Sequence, residues 1–522
     1  VVQFATKIKD RVLDLLLSLA IVPLSKRSLP VVRKLPADFL ISRVFKRFAD
    51  LDDCLWLDTA FPGPFIRTGS GIQGNARTYS ERLGRYSFLT ADPVDRIDAY
   101  LGDPSPWTEL QKWCRRLPSE CDNRLPPFQG GIAGLIGYES ATWLEEVGTA
   151  RIDDFPTPAM SMGLYDWVIA TDHDQHSSWI ISQGLGKASA GERFKRASDR
   201  ADQVESWLAG DDIGRSTDRP NKQAASASPA RRRPMPEHYV STNREDVWSN
   251  FSSDQFRPAV AEIVGRIRRG DSFQVNLAQR LLSAATLSPS ELYLRLRQCN
   301  PAPYGGYYSP IDRQGNSFQV LSSSPEGFLQ IRGNRIETRP IKGTIPRTGE
   351  PAEDLRLAKQ LSQSEKDRAE NTMIVDLMRN DLSRICTDES VKVSQLCGLE
   401  QYEHVQHLVS VVQGELEPDK TAIDALKACF PGGSVTGAPK IEAMRTIAEL
   451  EPHRRGPYCG SLGYISCGGN ADFNILIRTI TAAGGYWQIP VGGGVTARSE
   501  PEAEEAETWA KAEGMLRALF PE

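Results

Sequence analysis

Lys342 stands between an isoleucine and a glycine in Pro340-Ile341-Lys342-Gly343-Thr344, on a stretch that reads as a strand. Burial disfavours the charged form of a lysine and leaves a neutral amine able to attack an electrophile. A strand-end lysine that reaches solvent does no such chemistry, so its neighbours decide. Upstream lie Ser324-Pro325-Glu326 and the turn signal Gly333-Asn334, which make a hairpin-like segment. A three-residue loop over Gly333 to Arg335 places Glu326 opposite Lys342 on one face, a proton donor beside a nucleophile. A two-residue loop pairs Lys342 with Pro325 and puts the two charges on opposite faces. Both registers remain open at this level, and an ordinary cross-strand salt bridge is the plain alternative.

Two helical runs carry carboxylates where carboxylates are costly. Between Glu353 and Ile385, Glu370 shares a face with Ile374, Leu377 and Met378, and a carboxylate on an apolar stripe needs a cation or a metal. Near the C-terminus, Ser499-Glu500-Pro501-Glu502 has the form of a capping box. Glu504, Glu507 and Lys511 follow on one stripe. Glu507 and Lys511 alone read as a surface i,i+4 pair. Together with Glu370, the acidic residues have the hard oxygen donors of a magnesium site with room for substrate oxygens.

A glycine-rich approach, Pro431-Gly432-Gly433-Ser434-Val435-Thr436-Gly437-Ala438-Pro439-Lys440, leads into a helix with Ile441, Met444, Ile447 and Ala448 on one face. Free backbone N–H groups there would suit an anion, a carboxylate as well as a phosphate; the spacing is not that of a P-loop. Gly492-Gly493-Gly494 is a second such approach. Arg478, expected on a middle strand from Phe473 to Thr481, offers a bidentate fork for a carboxylate or else faces solvent. Cys459 has no histidine and carboxylate arranged to activate it and reads as structural.

These groups need a scaffold. Short strands at 53–58, 85–89 and 130–138 precede a Pro- and Ser-containing, arginine-studded linker over 211–238. After it, strands at 461–467, 473–481 and 486–491 are joined too tightly for crossover helices, so they form an antiparallel meander. The fold class is α+β, with antiparallel sheets packed as a sandwich and helices outside. The chain divides into a leader or mis-called extension over 1–36, an N-terminal region over 37–210, the linker, and a catalytic domain over 239–522. A net charge of −5 over 522 residues argues against a nucleic-acid partner. The apolar run Leu15 to Leu24 is too short to span a membrane and no other run is a candidate. Nine dispersed cysteines fit a reducing, cytoplasmic setting.

Taken together, the motifs resemble the chorismate-utilising enzymes. The stretches are GDSFQVNLAQR, SSSPEGF, PIKGT, DRAENTMIVDLMRNDL, HVQHLVS, PGGSVTGAPK, CGSLGYIS, ADFNILIRT and ETWAKA, with weaker matches LWLDTA, GRYSFLTADP and FQGGIAGLIGYE before the linker. Within that family, anthranilate synthases look like PIAGT, whereas PIKGT resembles component I of aminodeoxychorismate synthases. The water-activating lysine of isochorismate and salicylate synthases is replaced here by Gln274. The resemblance therefore implies an α+β fold of the anthranilate synthase component I type and a transferase that makes 4-amino-4-deoxychorismate for 4-aminobenzoate and folate synthesis. It implies Lys342 as covalent nucleophile, Glu326 as proton donor and His407 as a further active-site residue. It implies Mg²⁺ on Glu370 and Glu507 with Glu504 direct or through water, and substrate contacts from Gly433, Thr436, Tyr464, Arg478, Gly492, Gly494 and Lys511. Asn371 departs from the histidine of many relatives beside the metal glutamate.

The same resemblance implies a tryptophan pocket near Thr59, Arg85, Tyr86, Ser87, Pro301 and Ala302, with Thr59 departing from the usual serine. These 522 residues show no nucleophile-elbow cysteine with a downstream His-Glu pair, so the expectation is a separate glutamine amidotransferase subunit for glutamine-dependent activity and a separate lyase for 4-aminobenzoate. The competing expectations are an anthranilate synthase, a non-catalytic chorismate- or tryptophan-binding paralogue, and a docking subunit active only with its glutaminase.

Overall fold

The computed structural model describes residues 28–60, 83–187, 189–210, 238–241, 244–311, 315, 317–402 and 405–521. The expected linker, except for its last residue, and most of the expected leader lie outside these residues. Among the described residues, two antiparallel sheets of thirteen and ten strands dominate. Strands from both sides of the linker interleave in each: Cys54–Asp58 pairs with Tyr304–Ser309, and Gly131–Ile136 pairs with Ser461–Ser466.

The strand pleat explains the layering. Along Cys54–Asp58, Leu55 and Leu57 join a core between the sheets, while Cys54 and Trp56 join an outer core under helices. Val168 and Ala170 face inward in the same way and Trp167 and Ile169 outward, so a period of two fills both faces. The helices Ile41–Phe48, Ala190–Ala209, Pro289–Cys299 and Pro501–Leu519 cover the larger sheet. The helices Trp107–Arg116, Glu365–Ser383 and Ala422–Cys429 cover the smaller one, and Lys440–Leu450 packs on Gln274–Ala284 of the larger. This is the α+β sandwich with outer helices that the sequence implied.

Four local expectations are corrected. The supposed leader reaches too far: Val31–Lys34 is an edge strand paired with Ser177–Ser182. The expected 473–481 strand is two strands in different sheets, Ala471–Asn474 and Thr479–Ala483. The chain crosses between sheets at Ile475 to Arg478, where Arg478 takes a φ of 52°. The run from Glu353 to Ile385 is two helices, Pro351–Ser362 and Glu365–Ser383. Finally, Ile441 is exposed, and the buried face of Lys440–Leu450 is Ala443, Met444, Thr446 and Ile447. Among the described residues, no helix is long and apolar enough to cross a membrane, and all nine cysteines are free thiols.

Candidate active site

Lys342 and Glu326 feel one another electrostatically, but not as a cross-strand pair of one hairpin. The turn has two residues, pairing Arg332 with Arg335 and Gln330 with Glu337. The chain then leaves its partner at Arg339-Pro340, and Ile341–Pro346 pairs instead with Val405–Glu415. A bulge between Lys342 and Thr344 centres on Gly343 at φ 80°. A side chain there would press on Leu361 and Asp367, so glycine alone permits the kink that re-aims the lysine. The Lys342 amine donates to the Ser434 carbonyl at 3.2 Å. Burial holds its pKa below the usual lysine range; the Lys511 charge acts the same way, while Glu370, Glu326 and Glu507 oppose it.

Glu326 is 4% exposed, and its Oε1 has no hydrogen-bond partner. Burial raises its pKa to about 7, with the Ser434 hydroxyl and Lys342 pulling the other way. Its backbone is fixed, the carbonyl accepting from Ile475 N–H and the amide donating to Ser324 Oγ. An amine and a carboxyl whose charged forms are both disfavoured by burial thus lie beside the Ser434 loop. His407, from Val405–Glu415, lies with Nδ1 2.8 Å from Thr344 Oγ1. Burial and then the Arg478 charge lower its pKa to about 4, so it is a neutral imidazole at neutral pH.

The glycine motifs serve close packing. At Gly433 a side chain would strike Leu377, and at Gly432 it would strike Ile475. The loop thereby lies against Glu365–Ser383 as a short 3₁₀ turn, Gly433–Val435. Its carbonyls and hydroxyls are partly committed: Thr436 Oγ1 donates to the Gly432 carbonyl at 3.0 Å. Gly492, Gly493 and Gly494 are not a helix approach but part of the strand Tyr486–Val495. Gly494 makes room for the Gln274 amide, and a side chain on Gly493 would enter the space of Glu504, Glu507 and Lys511.

Pro501–Leu519 starts without the expected capping box; its N-cap is Glu500, with no side-chain hydrogen bond. Ser499 Oγ instead donates to Glu504 Oε1 at 2.5 Å, orienting that carboxylate. Lys511 joins Glu507 at 2.7 Å, the plain i,i+4 pair, and also donates to the Gly492 carbonyl at 2.8 Å. Arg478 donates to the Lys511 carbonyl at 2.6 Å.

Glu370 Oε1 is buried without a partner. Burial raises the pKa of Glu370 and of Glu504, and the charge of Lys366 is felt by both and by Glu507. Glu370 feels the charge of Glu504, and with Glu507 these side chains are hard oxygen donors of the kind a divalent cation takes, but their oxygens do not all lie within 4.8 Å of one another. Asn371 does not share this space: it donates to the Leu408 carbonyl at 3.2 Å and accepts from Ser410.

One expected contact is misplaced. Tyr464 is not beside Lys342 but in the core between the sheets, stacked on Phe128 and edge-on to Phe88. It lines a separate cavity of about 460 Å³ with Arg85, Tyr86, Arg332 and Asp472. Of the expected tryptophan-pocket residues, Arg85 and Tyr86 line this cavity and Thr59, Ser87, Pro301 and Ala302 do not. Ser87 Oγ is engaged by the Thr59 amide and His173. The tyrosine that faces Arg478 electrostatically is Tyr458, 4% exposed. Its place beside Cys459 was the signal that sequence reasoning passed over. Cys459 itself is buried with its thiol pKa pushed up to about 12, the opposite of a reactive thiolate.

A set of histidines and one carboxylate also escaped the sequence reading. Asp154, His238 and His453 are the one three-donor cluster of His, Cys, Asp or Glu within 4.8 Å among the described residues. The Arg280 guanidinium already occupies it, 2.8 Å from Asp154 and 3.2 Å from His238, so a resident cation meets that charge.

Residues 74–517 match the family model described as chorismate binding enzyme. Aminodeoxychorismate synthase component 1 of Bacillus subtilis is 36% identical over 454 residues, covering 84% of this chain and 90% of that protein. Anthranilate synthase component 1 of Streptomyces coelicolor is 34% identical, over 90% of this chain and 87% of that protein. The crystal structure of anthranilate synthase component I from Streptococcus pneumoniae TIGR4 superposes with a TM-score of 0.67 at 30% identity, covering 88% of this chain and 95% of the other. By this match and the architecture that accompanies it, the chain belongs to the chorismate-binding enzyme family.

Proposed function

We propose that this chain converts chorismate and ammonia to 4-amino-4-deoxychorismate through a covalent intermediate on Lys342. The carrying observation is the pairing of a lysine amine depressed by burial with a carboxyl raised to about 7 in the same buried space. The neutral amine forms a bond to C2 of chorismate. The two ring double bonds shift toward C4, and the C4 hydroxyl leaves as water with the Glu326 proton. Ammonia then attacks C4, the double bonds shift back, and the Lys342 amine departs. Glu326 takes the surplus proton from the new ammonium and is ready for another turn. Two displacements replace one harder one.

Glu370 and Glu507, with Glu504, would hold Mg²⁺, which supplies positive charge for the ring carboxylate when bound. Arg478 and Lys511, flanking Gly492 and Gly494, are the cations available to the substrate carboxylates; Tyr458 takes the place first expected for Tyr464. His407, neutral at neutral pH, serves as a hydrogen-bonding group rather than as a cation. A separate glutaminase supplies ammonia, a separate lyase consumes the product, and the setting is the cytoplasm. The cavity under Arg85 is the place for a tryptophan-like effector.

The relatives named as anthranilate synthases are nearly as similar as those named as aminodeoxychorismate synthases, so a second reading is an enzyme that goes on to eliminate pyruvate. Chorismate turnover with Mg²⁺ and ammonium, with products resolved by mass, separates the two. Wild type should give aminodeoxychorismate, and Lys342→Ala should lose turnover by roughly three orders of magnitude or more. Anthranilate from wild type, or a Lys342→Ala variant that retains its rate, would sink the covalent-lysine reading.

A further inference from the structure

Behind the loop that receives the Lys342 amine lies a buried arginine that the proposed reaction does not use. The Arg455 side chain is 3% exposed and its partner Glu451 is 4% exposed. Its Nε donates to Glu451 Oε2 at 2.9 Å, and one terminal nitrogen donates to Glu451 Oε1 at 2.6 Å and the Asn276 carbonyl at 2.7 Å. The other terminal nitrogen donates to the Val435 carbonyl at 3.0 Å. Glu451 Oε1 also accepts the Ala278 amide at 2.9 Å. Glu139 takes the backbone N–H groups of Arg455 and Gly456 at 2.7 and 2.9 Å. The guanidinium packs over Tyr138, 4.7 Å from its ring centre, and lies 5.8 Å from that of Tyr458.

The connection to the nucleophile is one peptide long. The Ser434 carbonyl accepts from Lys342, and the next carbonyl, Val435, accepts from Arg455. Asn276 closes the frame, its amide donating to the Thr436 carbonyl at 2.8 Å while its own carbonyl accepts from Arg455.

We propose that Arg455 is a positioning residue for the nucleophile: by pinning the Val435 carbonyl to the Gln274–Ala284 strand, it holds the Ser434 carbonyl turned toward the Lys342 amine. A neutral amine has two N–H bonds and one lone pair. With one N–H committed to Ser434, rotation about Cε–Nζ stops and the lone pair is confined to the two remaining positions on nitrogen, whereas a loose acceptor leaves the amine free to rotate away from the substrate. Only a planar fork reaches Glu451, Asn276 and Val435 together; a lysine ammonium at this position is a point donor that cannot span them.

The inference rests on the reaction assigned above. It is tested in the full chain by steady-state turnover of chorismate with Mg²⁺ and ammonium, with the folded fraction measured by calorimetry on the same samples. Arg455→Lys should lose about 100-fold in kcat per folded molecule, the scale of an ångström-level misplacement. KM for chorismate should stay within about threefold, because Arg478 and Lys511 are untouched. Arg455→Gln, which also lacks the fork, should behave alike, and it serves in place of Arg455→Lys if that variant does not fold.

A kcat per folded molecule within threefold of wild type overturns the proposal. So does a full rate in Arg455→Lys beside a crippled Arg455→Gln, which would assign the charge and not the fork. A loss confined to KM, or failure of both variants to fold, overturns it as well. Wild type runs in the same assay, so absence of its aminodeoxychorismate strikes at the assigned reaction, whereas full turnover in Arg455→Lys strikes at the clamp alone.

Discussion

The space around Lys342 and the cavity under Arg85 are lined by similar residue types, yet they treat them differently. In the cavity the charges answer one another: Arg85 holds Asp172 at 2.7 Å, Arg332 holds Asp472 at 2.8 Å, and Arg339 reaches Glu337 and Glu400. Asn474 donates to the Tyr304 carbonyl at 2.9 Å, and the exception is the buried Tyr464 hydroxyl, which lacks a partner. Around Lys342 the pattern reverses. Glu326 Oε1, Glu370 Oε1 and Gln274 Oε1 are all buried without partners. Each such atom costs about 1–3 kcal/mol, and a cluster of them is worth explaining by what binds there. Paired charges build a wall, and buried polar atoms left unpaired keep donors and acceptors open to a ligand.

That contrast breaks first at Glu326. Glu326→Gln keeps the shape of the side chain but removes its proton, and turnover should drop by roughly 10²–10⁴-fold. Turnover within tenfold of wild type would place the proton donor elsewhere.

The same carboxyl gives a pH signature in both activity and stability. As a donor it must be protonated, so the rate should fall as pH rises through about 7. The amine must be neutral, and its depressed pKa moves the opposing limb down from the ordinary lysine range. For stability, the unfolded carboxyl titrates at its ordinary value of 4.5 and the folded one at about 7. Between those values the unfolded state gives up its proton first, so the folded state loses stability as pH climbs through that window. Glu326→Gln should therefore be more stable than wild type at pH 8, by up to about 3 kcal/mol on the conversion of pKa to free energy. Thermal melts of both proteins at pH 4 and pH 8 would read this; an equal difference at the two pH values would contradict it.

The smallest effect belongs to the cavity. Tyr464→Phe removes a hydroxyl that has no protein partner, and stability should change by less than about 1 kcal/mol. Chorismate KM and kcat should stay within about threefold. A tenfold rise in KM would return Tyr464 to the substrate and dissolve the distinction between the two regions.

How much of this was legible depends on range. The strands at 53–58, 130–138 and 461–467 were legible because a pleated run between glycines announces itself locally. The Glu370 stripe was visible because helix periodicity alone puts Ile374 and Met378 on its face. Arg478 was found as a residue but set on the wrong element: the switch between sheets needs two partners distant in sequence, and no local pattern encodes them. The glycines of 432–433 and 492–494 were noticed for a bare backbone suited to an anion, and in the fold that bareness also admits Leu377 and Gln274, which no one-dimensional pattern shows. Tyr458 was overlooked in favour of Tyr464 because both lie near the same glycine-flanked strand, and only the direction of each side chain tells them apart.

The sequence by itself determined the chemical inventory, the local elements and the family, because residue type, backbone preference and short-range periodicity need no partner to be read. The tertiary structure decided the contact that matters. The hairpin's loop length alone left open whether Glu326 and Lys342 share a face, yet the chain leaves that hairpin at Pro340 and the lysine is aimed by a strand sixty-odd residues away. Register between such strands is chosen by packing on both faces of the sheet, since a slip of one residue would turn every side chain to the other face. Arg455 makes the same point more sharply: it reads as one of two adjacent arginines, and only the fold brings its fork to Val435, Asn276 and Glu451.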